Sequence, residues 1–286
     1  MKTLHLPYAE IYITNVCNLT CDGCNRFNRY AFKGWQSWSD WKDIYQKWGQ
    51  ELHIDCISIM GGEPMLNPDF YQWVQGISLI WPTSMLGIAS NGTRLHLHHK
   101  LYSILLDNRL IVLKISMHNK MHKKELIKKV EDFLTRPLRY QFDSTRYRES
   151  LSITDVNNVT VKVEHNWWFH QGAIVTDEDS GKLRLHQSDP IKAHDICHSK
   201  TCHHFDKGRL YKCGPAALFP EFDKQFALDL TESDRQLMLS VPSIGIDDTV
   251  EQKIRFVQQI DEPIPQCKFC PEEYYGKQIF AMIKKK

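Results

Sequence analysis

Near the start of the chain, Cys17-Asn18-Leu19-Thr20-Cys21-Asp22-Gly23-Cys24 puts three thiols on one short loop at C-x3-C-x2-C spacing, directly after an alternating apolar run from Tyr8 to Thr14. Such alternation predicts a strand, so the thiols gather at a strand's C-terminal end. A structural zinc takes four ligands close together, whereas three thiolates can grip three corners of a metal–sulfur cube and leave its fourth iron open. The chain has nine cysteines, an odd number, and Met1 to Pro7 lacks the apolar core of an export signal. Reduced, metal-binding thiols in a cytoplasmic protein are therefore expected in preference to disulfides. No apolar run reaches the ~18 residues a membrane-spanning helix needs. With 36 basic and 34 acidic residues, net charge +2, nothing indicates a nucleic-acid partner.

The 286 residues suffice for one large domain with an appendage. Ser39 reads as the N-cap of a first helix whose Trp38, Trp41, Tyr45 and Trp48 recur at three and four residues, a stripe suited to packing on a sheet. Ile54 to Met60 is a short apolar strand that includes Cys56, read as a small buried thiol, and it ends in Gly61-Gly62-Glu63-Pro64. A helix opened by Pro68 carries Phe70, Trp73, Val74 and Ile77 on one face; a strand from Met85 to Ala89 follows and ends in Ser90-Asn91-Gly92. Helices over 97–106 and 121–134 flank a strand over 110–116; Lys123, Lys124, Lys128 and Lys129 make the solvated face of the second. Repeated strand–helix alternation predicts an α/β fold with parallel strands and with ligands at the strand C-terminal ends, where residues 17–24, 61–63, 90–92 and 116 all fall. After residue 135 periodicity weakens, leaving Val159–Glu164 and Trp167–Val175 as candidate strands.

The cysteine triplet followed about forty residues on by Met60-Gly61-Gly62-Glu63-Pro64 resembles the radical S-adenosylmethionine (radical SAM) superfamily, in order of elements over residues 8 to 135. The resemblance implies a partial (β/α)6 barrel in which Cys17, Cys21 and Cys24 hold a 4Fe-4S cluster. The open iron of that cluster would chelate S-adenosylmethionine. It further implies that Gly61, Gly62 and Glu63 hold the cofactor's methionine amino group, that Asn91 and Ser116 contact its ribose or carboxylate, and that a flavodoxin- or ferredoxin-type donor supplies the electron. The family commonly has an aromatic residue before the third cysteine; here Gly23 stands there, leaving Phe27 or a later side chain for the adenine.

A second cysteine group, Cys197, Cys202, Cys213 and Cys267-Lys268-Phe269-Cys270, lies late in the chain. Glycine at 208 permits a hairpin whose second strand, Arg209 to Lys212, returns Cys213 toward the first cysteine. Ten residues separate Cys197 from Gly208, and Gly208-x4-Cys213 followed by the Cys-x2-Cys pair is similar to the twitch or SPASM extensions that carry an auxiliary 4Fe-4S cluster. That resemblance assigns Cys197, Cys213, Cys267 and Cys270 as ligands; Cys202 is either a substitute for Cys197 or a free thiol near the substrate. A four-cysteine zinc knuckle is the other reading, with His194, His198, His203 and His204 as further ligands.

The expected organisation is a radical SAM core over 1–185 and a cysteine-rich extension over 186–286. The expected function is cleavage of S-adenosylmethionine to a 5′-deoxyadenosyl radical that attacks an unactivated C–H position of a small metabolite. Alternatives are a peptide epimerase or maturase with Cys202 as hydrogen donor, and a zinc-stabilised binding protein. No leader-peptide-binding domain is expected in the sixteen residues before Cys17, which weighs modestly against the peptide reading unless a separate recognition protein exists.

Overall fold

Leu4–Tyr12 forms strand β1, near the middle of a mixed sheet, in the computed structural model, which describes residues 4–21, 24–117, 122–145, 148–166, 173–273 and 281–283. In chain order there follow β2 (Leu19–Cys21), α1 (Trp38–Glu51), β3 (Leu52–Met60), α2 (Phe70–Ile80), β4 (Met85–Ser90), α3 (Lys100–Asp107), β5 (Ile111–Ser116) and α4 (Lys123–Phe133). Then come β6 (Arg139–Ser144), β7 (Arg148–Thr154), β8 (Thr160–Asn166), β9 (Ile174–Thr176), β10 (Leu183–Leu185) and α5 (Pro190–Asp195). The C-terminal part adds β11 (His203–Asp206), β12 (Arg209–Tyr211), α6 (Gly214–Phe226), α7 (Glu232–Leu239), β13 (Ser243–Ile244) and α8 (Val250–Gln259).

The main sheet runs β13-β12-β11-β1-β3-β4-β5-β8-β7-β6, and the block from β11 to β8 is parallel throughout. This is the α/β architecture with a parallel-dominated sheet that a partial barrel requires. Its apolar strands are covered by helices, so β3 reads as a nearly continuous apolar run, with Ile54, Ile57 and Ile59 all buried. Two elements differ from the sequence reading. An antiparallel hairpin, β6–β7, sits between α4 and β8; every residue of β6 is exposed, so it has no apolar face to read. In addition, β11 adds parallel to β1, so the sheet continues across the 185/186 division and the extension supplies one of its parallel strands. The stretch 167–172 of the candidate strand Trp167–Val175 lies outside the described residues, and β9 takes up its end.

Helix α1 starts at Trp38, one residue before the expected cap, because the Asp69 carboxylate accepts from both Ser37 Oγ (2.8 Å) and the Trp38 N–H (2.9 Å). A side chain of the neighbouring helix start thus satisfies a donor that a local cap would serve. The aromatic stripe is packing: Tyr45 and Trp48 are fully buried, and Trp38 meets Trp73 edge-on at 5.0 Å. Each such ring removes roughly 150–250 Å² from water, about 4–6 kcal/mol of transfer free energy. Helices α1 and α2 touch so closely that a Cβ at Gly76 would run into the Trp38 ring. Trp48 also donates from Nε1 to the Gly208 carbonyl (2.9 Å), pinning the β11–β12 turn to α1, and Gly208 has φ +70°, a conformation that favours glycine.

Asp206 ties β11 to the loop before α1 by accepting from Gln36 Nε2 at 2.8 Å. Burial raises its pKa to about 7, so between the ordinary carboxylate value and 7 the folded state binds more protons than the unfolded one. This contribution to stability is full below the unfolded pKa and is lost as pH rises through 7. Asp206→Asn keeps an acceptor for Gln36, so the variant should gain stability relative to the native protein from pH 4 to 7 and no further above it. Urea midpoints across that range check this; a difference that does not change with pH would contradict it.

Candidate active site

At the C-terminal ends of the parallel strands lies a cavity of about 330 Å³ walled by Cys17, Cys21, Cys24, Gly61, Gly62, Asn91 and Ser116, together with Glu10 and Arg26. The strand order explains the gathering: β1 leads into the cysteine loop, β3 into Gly61-Gly62, β4 into Asn91, and β5 ends on Ser116. Donors point at the thiols, with the Leu19 N–H 3.4 Å from Cys17 Sγ and Asn28 Nδ2 3.6 Å from Cys24 Sγ. Sulfur atoms that accept hydrogen bonds are suited to the thiolate state that a metal demands.

Glycine at 61 and 62 is dictated by how the β3 end lies on the β1 end. A Cβ at Gly61 would sit 2.6 Å from the Thr14 carbonyl, and one at Gly62 would sit 2.6 Å from Asn28 Oδ1 and strike the Val16 carbonyl. The Gly62 N–H donates to the Thr14 carbonyl (2.7 Å) and the Glu63 N–H to the Val16 carbonyl (2.8 Å), which fixes the cysteine loop against this turn.

Glu63 has a place different from the one expected. Its side chain is fully buried and absent from the cavity wall, and it accepts from the Met65 N–H (3.1 Å), Ser90 Oγ (2.8 Å) and the Asn91 N–H (2.7 Å). The carboxylate therefore binds the turn after β3 to the end of β4 and is not presented to a ligand. Burial raises its pKa to about 7, against the three donors that favour its ionised form. Asn91 remains in the wall, but its amide donates to Asn18 Oδ1 (2.9 Å) and accepts from Thr93. Phe27 is buried against Phe219 and Phe222 at ring distances of 5.6 and 5.1 Å, within a second apolar cluster, so it does not face the cavity. Gly23 lies outside the described residues.

Two cavity-side residues, Glu10 and Arg26, escape the sequence reading. Glu10, on β1, is 5% exposed; its Oε2 accepts from Arg26 Nη2 and faces His204 Nδ1 at 3.3 Å. Arg26 holds the Glu10 carboxyl below the ordinary range against the opposing effect of burial, and burial lowers His204 to about 4. Nε2 of His204 and Nε of Arg26 are buried without a hydrogen-bond partner. The available signal is an acid inside the apolar run Ala9-Glu10-Ile11-Tyr12, and a base two residues after Cys24.

A second, smaller cavity is walled by Cys197, Cys213, Cys267 and Cys270, with His194 and Lys212 beside them; Cys202 is not in its wall. The Cys202 N–H closes a turn onto the Ser199 carbonyl (3.0 Å). Nor does Cys202 line the first cavity, where a free thiol near the substrate would be expected: it directly precedes β11, with Glu10, Arg26 and Cys197 as electrostatic neighbours. Burial pushes the Cys213 thiol up to about 12 and raises Cys197, Cys267 and Cys270 as well, so four protons are held here unless a cation replaces them. Among the described residues the one His/Cys/Asp/Glu group with ligand atoms all within 4.8 Å is His5, His53 and Asp55, exposed near the start of β1 and β3. No three of the cysteine sulfurs approach so closely.

Residues 11–128 match the family model described as Radical SAM superfamily. The chain carries a radical SAM domain. No curated protein matches it. Among solved structures it is similar to Streptococcus suis SuiB bound to S-adenosylmethionine, at 20% identity and TM-score 0.38, covering 45% of this chain and 31% of that one. It is also similar to BtrN in complex with AdoMet and 2-DOIA, at 15% identity and TM-score 0.48, covering 97% of this chain and 99% of that one. The radical SAM family implies a 4Fe-4S cluster and S-adenosylmethionine, and the three-thiol wall with its hydrogen-bonded sulfurs and cramped glycine turn fits them. No helix among the described residues is long and apolar enough to cross a membrane.

The glycine turn yields a test of the radical SAM site. Gly62→Ala forces the cysteine loop off the β3 end, so the protein should lose at least ~90% of 5′-deoxyadenosine formation from S-adenosylmethionine with dithionite. Retained turnover would show that the close approach of the two loops is dispensable.

Proposed function

We propose that the protein is a radical SAM enzyme with two 4Fe-4S clusters that oxidises or otherwise alters an unactivated C–H position of a small metabolite. The observation that carries this is the cavity in which three cysteines, a glycine turn and two strand-end polar residues from four parallel strands share one wall. Cys17, Cys21 and Cys24 would hold the first cluster. Backbone of Gly61 and Gly62 would take the amino group of S-adenosylmethionine, and Asn91 and Ser116 remain for its polar groups. When bound, cluster and cofactor supply one-electron reductive cleavage and removal of a hydrogen atom from carbon. Leu19, Met60 and Ala89 give the same wall apolar surface that keeps water from the reacting centre. A flavodoxin- or ferredoxin-type protein is the electron donor in this reading.

Cys197, Cys213, Cys267 and Cys270 would hold the second cluster, which would accept an electron from the product radical or anchor substrate. Support comes from their common cavity. The hydrogen-donor role considered for Cys202 finds no such support, since its thiol belongs to neither wall.

Anaerobically reconstituted protein should hold about eight irons per chain and no zinc, the sum of two cysteine-bound cubes. Changing Cys17, Cys21 and Cys24 together to Ala should leave about four irons and abolish 5′-deoxyadenosine formation. Cys197→Ala should lose the C-terminal cluster while Cys202→Ala keeps close to the full iron content. Interchanged iron contents would make Cys202 the ligand, and zinc at the C-terminal site would reduce that part to a structural role.

A further inference from the structure

The two cavities adjoin, and a buried cation lies where they meet. Ser199 lines both cavities. Arg26 lines the first, two residues after Cys24, and its guanidinium lies directly on Gly214, the residue after Cys213: a Cβ at 214 would collide with Cζ and Nη1. The head group is held there by Glu10 Oε2 and by Met60 Sδ, 3.4 Å from Nη2. Its electrostatic neighbours include Cys24 on one side and Cys213 on the other. Arg26 is buried, so bulk salt does not screen it as it screens a surface charge. Glu10 is the only carboxylate in the first cavity's wall among the described residues.

We infer that Arg26 is a positioning residue that sets the reduction potentials of both iron–sulfur sites together, with Glu10 as the counter-charge that limits its effect. This rests on the two-cluster reading above. Reduction adds one negative charge to a cluster already surrounded by thiolates, so a fixed cation where the cavities meet favours the reduced form on both sides, and a carboxylate opposes it. Because the same charge acts on both sites, their potentials rise and fall together. Glycine at 214 then has a reason beyond opening α6: any side chain would push the guanidinium off the second site.

The test is EPR-monitored redox titration of the full chain, anaerobically reconstituted. Each cluster is isolated in turn: the Cys17/Cys21/Cys24→Ala variant retains the C-terminal cluster, and Cys267→Ala/Cys270→Ala retains the first. In each background, Arg26→Met should lower the one-electron equilibrium constant for reduction about tenfold, which is 59 mV. Arg26→Lys should restore most of it, and Glu10→Gln, which keeps an acceptor for Arg26, should raise it. Shifts of opposite sign from the two partners of one ion pair are not produced by loss of packing. A shift confined to one cluster, shifts of the same sign for Met and Gln variants, or unchanged potentials would overturn the inference. If Arg26→Met loses its clusters, Arg26→Lys and Glu10→Gln decide it by the same criteria. Failure of the two-cluster reading shows itself separately, as zinc or no paramagnetic cluster in the Cys17/Cys21/Cys24→Ala protein before any potential is measured.

Discussion

A buried carboxylate holds the site together. Glu63 is fully buried, and its three accepted hydrogen bonds come from its own turn and from the end of β4, while the N–H groups of Gly62 and Glu63 reach back to carbonyls at the end of β1. Three strand ends are thereby fixed relative to one another within a few residues. Leaving three buried donors without that acceptor would cost about 1–3 kcal/mol for each. The elevated pKa of Glu63 shows the opposing cost of taking the charge out of water. Thr14 and Val16 meet the rest of the site through that same turn, and the Asn91 amide bonded to Asn18 ties the cysteine loop to the β4 end as well.

The order of strands and helices up to residue 133 is legible in the sequence because each element has one period and one covered face: Phe70, Trp73, Val74 and Ile77 lie at helical spacing and all four are buried. The cysteine spacings are legible for the same local reason. What is not legible depends on partners far apart in the chain. β11, with all four residues buried, reads His203-His204-Phe205-Asp206 and looks like a polar or ligand-bearing loop; pairing with β1 and burial of Phe205 against Tyr45 and Trp48 make it a core strand. His203 and His204 are thereby removed from the zinc-ligand candidates: His203 meets the Lys212 carbonyl and Asp261, and His204 faces Glu10. The buried role of Glu63 is hidden for the same reason, since its donors come from Ser90 and Asn91, twenty-seven and twenty-eight residues later.

The polar character of β11 and of the β1 interior has one physical source. Tyr8, Glu10 and Tyr12 alternate on one face of β1, and burial raises both phenols well above their ordinary pKa. A purely apolar core would exclude such groups. They persist where a ligand-binding cavity cuts into the sheet's inner face, since Glu10 lines the cavity and Arg26 neutralises it. Breaking one partner of a buried pair leaves an uncompensated charge, whereas the intact pair adds little to net stability. Its place in the fold is therefore better explained by what it does to neighbouring charges than by how firmly it holds the chain.

The same reasoning bears on why the extension docks where it does. An extension held only by its own cysteines could stand anywhere along the sheet edge. Here β11 pairs with β1, Trp48 holds the Gly208 carbonyl, and Phe27 beside the first cysteine loop stacks on Phe219 of α6, which also lines the second cavity. Backbone pairing, a buried indole and an aromatic cluster all set the same relative position, and each acts through residues adjacent to one thiol group or the other. In the two-cluster reading proposed above, a fixed separation matters because Coulomb coupling depends on distance. The aromatic cluster thus does more than add buried area: it sets the spacing across which the Arg26 charge acts on both sides.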